Sequence, residues 1–424
     1  MKSIDVADES LADARRCPHL AGYDPTSEEE LREPYPTYAA SRSEQPVFYS
    51  PEWGMYFVHR QEDCVRVLTD DGHFGVGGAT RPIIHPPAEL QDRMPTYPWD
   101  GALVTLDDPE HKPARQVVQA PFKPKNLRQN EPVVRAKAEE LISAHLADGG
   151  IEFVSGYSLP LALHLIGLII GFPEEKYAQV SDGVAAQFEL MGSGLKTPGD
   201  VLAAGRRLAD LNDYMLGLVR DRRENPQDDY TSEMVHMRKE DGTFESDERM
   251  VKHVFTIIGA GFETSTQMMV HGVRALLEHP DQWEKLKADR SLVNSAVEET
   301  LRYRTLVRRL FRAAKTDVLV GGVEIPKGAT VSLVVASANH DESVYEDPER
   351  FDITRNPDHL AFNKWKHFCI GAPLARMEMR VTLEVLMDLV PDMKLADQEF
   401  EWRPDLRFEA LKALELEWQP RVQA

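Results

Sequence analysis

The chain has 424 residues, 42% of them hydrophobic and 28% charged, a composition that fits a folded globular protein with a large core. Its 49 Lys and Arg against 70 Asp and Glu leave a formal charge of −21, which argues against nucleic acid or an anionic membrane as the main partner. Cys17, Cys64 and Cys369 stand far apart with no CxxC pair. That excludes a disulfide framework or a cysteine-rich zinc site and points to a reducing cytoplasm.

Residues 1–35 are polar, lack an apolar run that would serve as signal or anchor, and are expected to cross the surface. Residues 45–69 alternate and are rich in Tyr, Phe and Val, which predicts a short hairpin followed by a helix. Residues 75–100, with their glycines and prolines, predict a long irregular loop of the kind that often carries function. From Pro109 to about Asp317 the pattern is mostly helical, with amphipathic stretches at 131–146, 201–223 and 245–277. The most apolar run, 159–172, is broken by Pro160, His164 and Gly167. It falls short of the about 20 residues a membrane span needs and reads as a core helix, with no membrane association. Short strands are expected at 318–323 and 330–334, then a helix from Cys369 to about Leu389, then a tail of strand and turn character. The fold class is mainly α with small β-sheets, in a single large domain spanning 1–424.

Four places carry residues suited to chemistry. Cys369 stands in "HLAFNKWKHFCIGAPLARMEM" just before a helix. A glycine-containing turn at a helix start supplies N–H donors and a positive dipole end to a thiolate. Taken alone, such a cysteine reads first as a buried structural residue. In "FTIIGAGFETSTQMM" the glycines Gly259 and Gly261 flank Ala260 inside an apolar helix, each costing about 1 kcal/mol relative to alanine. They are followed by Glu263, Thr264 and Ser265, a carboxylate and hydroxyls able to pass protons. A glycine-kinked core helix with a solvent-facing Glu263 is equally consistent. Glu299 and Arg302 lie three apart on one helix face, the spacing of a local ion pair. His111 and Arg115 lie four apart at a helix start and offer two donors to an anion, or to solvent.

Together and in this order, these segments resemble a cytochrome P450 of the soluble bacterial type over nearly the whole chain. The resemblance implies that fold and a b-type haem, with Cys369 as thiolate ligand of the iron and Phe362 and Gly371 framing its loop. It assigns Ala260 and Gly261 to the space above the haem. Thr264 becomes the hydrogen-bonding partner of dioxygen or an ordered water, and Glu263 the proton relay. His111, Arg115, Arg312 and His367 become donors to the haem propionates. Glu299 and Arg302 become a buried structural pair, completed by Arg350. The implied reaction is monooxygenation: two electrons and O₂ place one oxygen atom in a substrate C–H bond and the other in water. The loop departs from the family's Phe-Gly-x-Gly by reading Phe362–Asn363–Lys364–Trp365. Asn tolerates positive φ, whereas Trp365 must be β-like or strained. Leu306 stands where the family often has proline.

The pocket is expected from residues 80–104, from Phe188, Val307, Phe408 and Leu411, and from Arg308 as holder of an acidic group if it turns inward. The substrate is expected to be a small to medium apolar molecule, aromatic or carboxylate-bearing, undergoing hydroxylation or oxidative O-demethylation. Electrons are expected from NAD(P)H through a ferredoxin and its reductase, docked on a basic patch of Lys112, Lys364, Lys366 and Arg376 with Trp365 among them. The competing readings are a haem-thiolate peroxygenase, a non-catalytic haem sensor, and a helical scaffold without haem.

Overall fold

The computed structural model of the chain describes residues 23–79, 87–94, 97–191, 197–239 and 242–421. Cys17 and parts of the loop expected at 75–100 lie outside the described residues. Helices α1 (Glu28–Arg32) and α2 (Tyr35–Glu44) come first, then the hairpin β1 (Val47–Ser50) and β2 (Met55–Val58), α3 (Gln61–Thr69) and β3 (Phe74–Gly75). A helical stretch follows: α4 (His111–Val118), α5 (Pro124–Ser143), strand β4 (Gly150–Glu152), α6 (Leu159–Ile170), α7 (Tyr177–Leu190), α8 (Pro198–Glu224), α9 (Tyr230–Val235) and α10 (Asp247–Glu278). Next are α11 (Pro280–Ala288), α12 (Val293–Tyr303), β5 (Arg309–Ala314), β6 (Val318–Val320), β7 (Val323–Ile325), β8 (Thr330–Val334) and α13 (Val335–Ala338). Helix α14 (Ala372–Leu389) and strands β9 (Lys394–Leu395) and β10 (Glu415–Glu417) end the chain.

The hairpin, the three amphipathic helices, the core helix at 159–170 and the helix after Cys369 form where the sequence patterns put them. Residues 309–314 do not: they form β5 inside a stretch expected to be helical. Pairing with β8 on one side and β3 on the other decides their state, because strand formation answers to neighbours more than to local propensity. The main sheet runs β1-β2-β8-β5-β3, with β2 and β8 parallel and the other pairs antiparallel.

Helix α10 is the axis of the core. Ser246 caps it by accepting from the Arg249 N–H at 3.2 Å, and Asp247 and Glu248 put negative charge at its positive end. From Met250 to Leu276 most of its residues are buried. Two glycines let neighbours approach. A Cβ on Gly272 would stand 1.9 Å from Met379 Cε of α14, and one on Gly261 would stand 2.6 Å from Ile166 Cδ1 of α6. Gly261 therefore serves helix contact as much as open space. No single helix among the described residues is long and apolar enough to cross a bilayer.

The N-terminal segment, expected to lie on the surface, is drawn inward from residue 23. Tyr23 and Leu31 are each 5% exposed, because two buried arginines need partners there. Arg308 donates to Glu30 O and Leu31 O at 3.1 and 3.0 Å and pairs with Glu409 at 2.7 Å. Arg309 donates to the hydroxyls of Tyr23 and Tyr38 and to Leu406 O, at 3.0, 3.3 and 3.0 Å. Burial alone would raise the Glu409 carboxyl, but Arg308, His271, Arg304 and Arg274 outweigh it and hold the group far below the usual carboxylate range. Removing one member of such a pair leaves the other charged and unpartnered. Glu409→Ala is expected to cost about 3–5 kcal/mol in urea unfolding. Adding Arg308→Met to that variant is expected to recover part of the loss.

Candidate active site

Cys369 ends a loop whose backbone is held at each step. Asn363 N donates to Leu360 O at 2.8 Å, Phe368 N to Trp365 O at 3.1 Å, and Cys369 N to Phe362 O at 2.9 Å. Asn363 and Trp365 both sit at φ of 63°. Asparagine accepts that conformation readily; for tryptophan it is strained, which resolves the alternative left open by the sequence. The Trp365 side chain is 58% exposed, so little packing offsets the strain. The Cys369 side chain opens onto a cavity of about 390 Å³ in the protein interior. Burial pushes its thiol up, while N–H groups of Gly371 and Ala372 and the charges of Arg115 and Arg376 pull it down. These are the donors a thiolate needs.

Two ion-pair groups on α12 brace this loop. Arg376 clasps Glu298 at 2.6 and 2.7 Å and covers the Phe362 ring at 4.7 Å, and His359 reaches the same carboxylate at 3.2 Å. Burial would raise Glu298, but hydrogen bonds from Arg376 and His359 hold it down at about 2. Behind it, Glu299 and Arg302 are fully buried and joined by bonds of 2.8 and 2.9 Å. Arg302 also donates to the carbonyls of Asn339, Pro348 and Arg350. The third arginine is Arg355, 3.5 Å from Glu299, and not Arg350. Arg350 turns to Asp352 and is 62% exposed; only its carbonyl joins the network.

Across the cavity stands α10. Ala260, Gly261, Thr264 and Ser265 line it together with Cys369. Thr264 Oγ1 donates to Ala260 O at 2.5 Å, one turn back along its own helix. Glu263 does not line the cavity, and its carboxylate pairs with Arg403 of the C-terminal segment. Sequence reasoning missed the adjacent pair: Ser265 Oγ donates to Glu378 Oε2 at 2.6 Å. Glu378 is fully buried with no cation beside it, and burial raises it from the usual 4.5 to about 8. Nothing in the spacing of 265 and 378 announces this contact.

At the cavity edge, the rings of His111 and His367 lie 4.3 Å apart. Arg115 donates to Lys366 O and Phe368 O at 3.1 and 2.8 Å, so it steadies the cysteine loop. Arg312 donates to Phe311 O at 2.9 Å, and burial lowers its guanidinium to about 10. Burial likewise lowers His367 to about 3, with Arg312 and His111 adding to it. His111 Nε2 and Arg312 Nη2 are buried without a partner. A desolvated cluster of donors with orphaned atoms calls for anions, and the propionates of the haem that the sequence implies fit it. Thiol, donors and the small residues of α10 all border one cavity system, so the residues present fit the group.

Some residues expected in the pocket border the cavity and others do not. Phe188, Val307 and Phe408 line the cavity, and the Phe188 and Phe408 rings meet edge to face at 5.4 Å. Arg308 does not, being turned away into the Glu409 pair. Leu411 is buried behind the wall, its N–H donating to Gln267 Oε1 at 3.0 Å. The expected basic docking patch is largely neutralised from within. Lys364 pairs with Asp358 at 3.0 Å, Lys366 with Asp71 and Asp108, and Arg376 with Glu298.

Two outcomes follow from this geometry. Trp365→Gly removes a strained left-handed residue and is expected to stabilise the protein by about 1 kcal/mol in denaturant unfolding. Glu378 keeps its proton in the folded state up to about 8 but loses it at about 4.5 when unfolded. Stability is therefore expected to fall as pH rises through that window, by up to about 1.4 kcal/mol per unit. Glu378→Gln is expected to flatten that slope, read from unfolding midpoints across the range.

Comparison with known proteins agrees with this geometry. The family model for Cytochrome P450 matches residues 195–389. The chain is 32% identical over 396 residues to the cytochrome P450 monooxygenase PikC of Streptomyces venezuelae, covering 91% of each. Among solved structures it superposes on P450BioI in complex with hexadec-9Z-enoic acid ligated acyl carrier protein, with a TM-score of 0.83, 28% identity, and coverage of 93% of this chain and 100% of that one. It also superposes on cytochrome P450 CREJ in complex with (4-ethylphenyl) dihydrogen phosphate, with a TM-score of 0.88, 26% identity, and coverage of 94% and 99%. With the cysteine loop, the α12 ion pair and Thr264 of the central helix on the cavity wall, the chain belongs to the cytochrome P450 family of monooxygenases.

Proposed function

We propose that the protein inserts one oxygen atom from O₂ into a C–H bond of a small to medium, largely apolar organic molecule, by hydroxylation or by oxidative O-demethylation. The observation that carries this is the single cavity bordered on one side by the Cys369 sulfur and on the other by Ala260 and Thr264. When bound, haem b supplies the reductive activation of dioxygen that no amino-acid side chain provides.

The chain's own residues do the rest. The Gly371 and Ala372 N–H groups stabilise the Cys369 thiolate as the iron's ligand. His111, Arg312 and His367 would hold the propionate edge, with Arg115 steadying the cysteine loop beside them. Thr264 presents its hydroxyl to the cavity and exchanges its bond to Ala260 O for one to dioxygen or water. Glu263 delivers protons from the Arg403 side, which requires its carboxylate to leave that guanidinium during turnover. The apolar wall of Phe188, Val307 and Phe408 orients the substrate and keeps bulk water out. The two solved relatives carry an acyl chain and an alkylated aromatic ring, which is the class of body such a wall accepts.

Electrons come from NAD(P)H through a separate ferredoxin and reductase in the cytoplasm, docking on the Cys369 face. Because Lys364 and Lys366 are already paired, exposed Trp365 contributes apolar contact there. The test is the CO-bound reduced spectrum of wild type, Cys369→Ala and Thr264→Ala. Wild type and Thr264→Ala are expected to give a thiolate-type Soret band, and Cys369→Ala to lose it. Thr264→Ala is expected to consume electrons with peroxide as the main product. A Cys369→Ala spectrum identical to wild type would sink the reading.

A further inference from the structure

The chain carries 70 acidic residues against 49 basic ones, yet no carboxylate lines its central cavity among the described residues. Two arginines do. Arg115 is spent on the cysteine loop, where it donates to Lys366 O and Phe368 O. Arg407 has no such engagement. Its side chain makes no hydrogen bond or ion pair among the described residues, and its guanidinium lies over the Phe311 ring at 5.2 Å.

Its backbone, by contrast, is fixed on both sides. Asp405 Oδ1 accepts from the N–H groups of Arg407 and Phe408 at 2.6 and 3.0 Å. Arg407 O accepts from Arg309 N at 3.3 Å, and Glu409 N donates to Leu306 O at 2.8 Å. A bridge between Val307 and Phe408 joins this turn to the strand edge. The buried Arg308–Glu409 pair locks the next residue. A rigid turn thus presents a cation beside Phe408 on the cavity wall. Burial lowers the Arg407 guanidinium, and the Asp405 carboxylate opposes the shift.

Two further polar atoms on the cavity wall lack partners. The Trp99 indole N–H is buried and unpaired, and Gln187 Oε1 is buried and unpaired where the amide leans over Gly259 of α10. The Arg407 guanidinium and the Trp99 N–H are donors of the kind an anion takes, whereas Gln187 Oε1 is an acceptor that calls for a donor on the bound molecule.

We propose that Arg407 is the substrate-anchoring residue, and that the substrate is an amphiphile whose carboxylate or phosphate monoester pairs with it while its apolar body lies along Phe188, Val307 and Phe408. This rests on the monooxygenase reading and narrows its substrate class. It also moves the anion-holding function from Arg308, which the sequence suggested, to the turn that Arg308 secures.

The test uses the purified haem protein and three probes that share one alkyl chain: decanoate, decyl phosphate and 1-decanol. Binding is read from the low-to-high-spin shift. Wild type is expected to bind at least one anion about 10- to 100-fold more tightly than the alcohol, as a buried charged hydrogen bond implies. Preference for decanoate identifies a carboxylate, and preference for decyl phosphate a phosphate. In Arg407→Leu and Arg407→Gln that preference is expected to vanish while 1-decanol binds as in wild type. Equal binding of all three probes by wild type overturns the proposal, as does a preference that survives both substitutions. The CO-bound reduced spectrum of each variant separates this from the parent reading. A thiolate-type band without anion preference removes only the role of Arg407, whereas its absence from wild type removes the enzyme assignment.

Discussion

Burial and charge compete at the Cys369 sulfur, and the surrounding structure exists to decide that contest. An apolar setting favours the neutral thiol, whereas an iron ligand must be a thiolate. The N–H groups of Gly371 and Ala372 tip the balance only if the loop holds one shape. That shape depends on two residues at positive φ, on Arg115 gripping two loop carbonyls, and on Arg376 pressed over Phe362. Arg376 and His359 in turn depend on Glu298, whose neighbour Glu299 anchors Arg302. Helix α12 thus holds the cysteine loop from beneath through two consecutive glutamates that face different partners.

A second framework supports the opposite wall. Arg308, just ahead of β5, and Arg309, its first residue, both turn out of the cavity, and there they gather the N-terminal segment, the tyrosines Tyr23 and Tyr38 and the turn at 405–409. Buried ion pairs of this kind contribute little net stability against a well-packed apolar alternative. Their value here is positional: they fix which side chains of the turn meet the cavity.

The parts of the site that the sequence revealed are those where chemistry and chain order coincide. Cys369 with its helix, the Gly-Ala-Gly segment leading to Thr264, and the Glu299–Arg302 spacing are each visible on one element, and the resemblance of their order to the cytochrome P450 family is what assigned them roles. The parts that it hid are contacts between elements. Arg350 and Arg355 lie five residues apart in one irregular loop, and only tertiary placement selects the second. Ser265 and Glu378 meet because α10 and α14 cross closely at Gly272, a relation no periodicity encodes. β5 was obscured because its first residue, Arg309, looks like a surface residue until Tyr23 and Tyr38, which receive it, are in place. Arg308 and Arg407 illustrate the same limit: both are arginines near the pocket, and only the turn geometry distinguishes an inward residue from a structural one.

The grip of Arg308 on Glu30 and Leu31 joins the beginning of the chain to the rim of the chamber where substrate is held. Few residues separate the carbonyls near the chain's start from the side chains that greet a substrate: Arg308, Glu409 and the turn they secure. Under the role proposed for Arg407, engineering at the amino end reaches substrate selectivity. A shortened leader or a bulky fusion that frees residue 30 would loosen the turn at Arg407 from more than 370 positions away in sequence, and a library confined to the first helix becomes a route to new substrates.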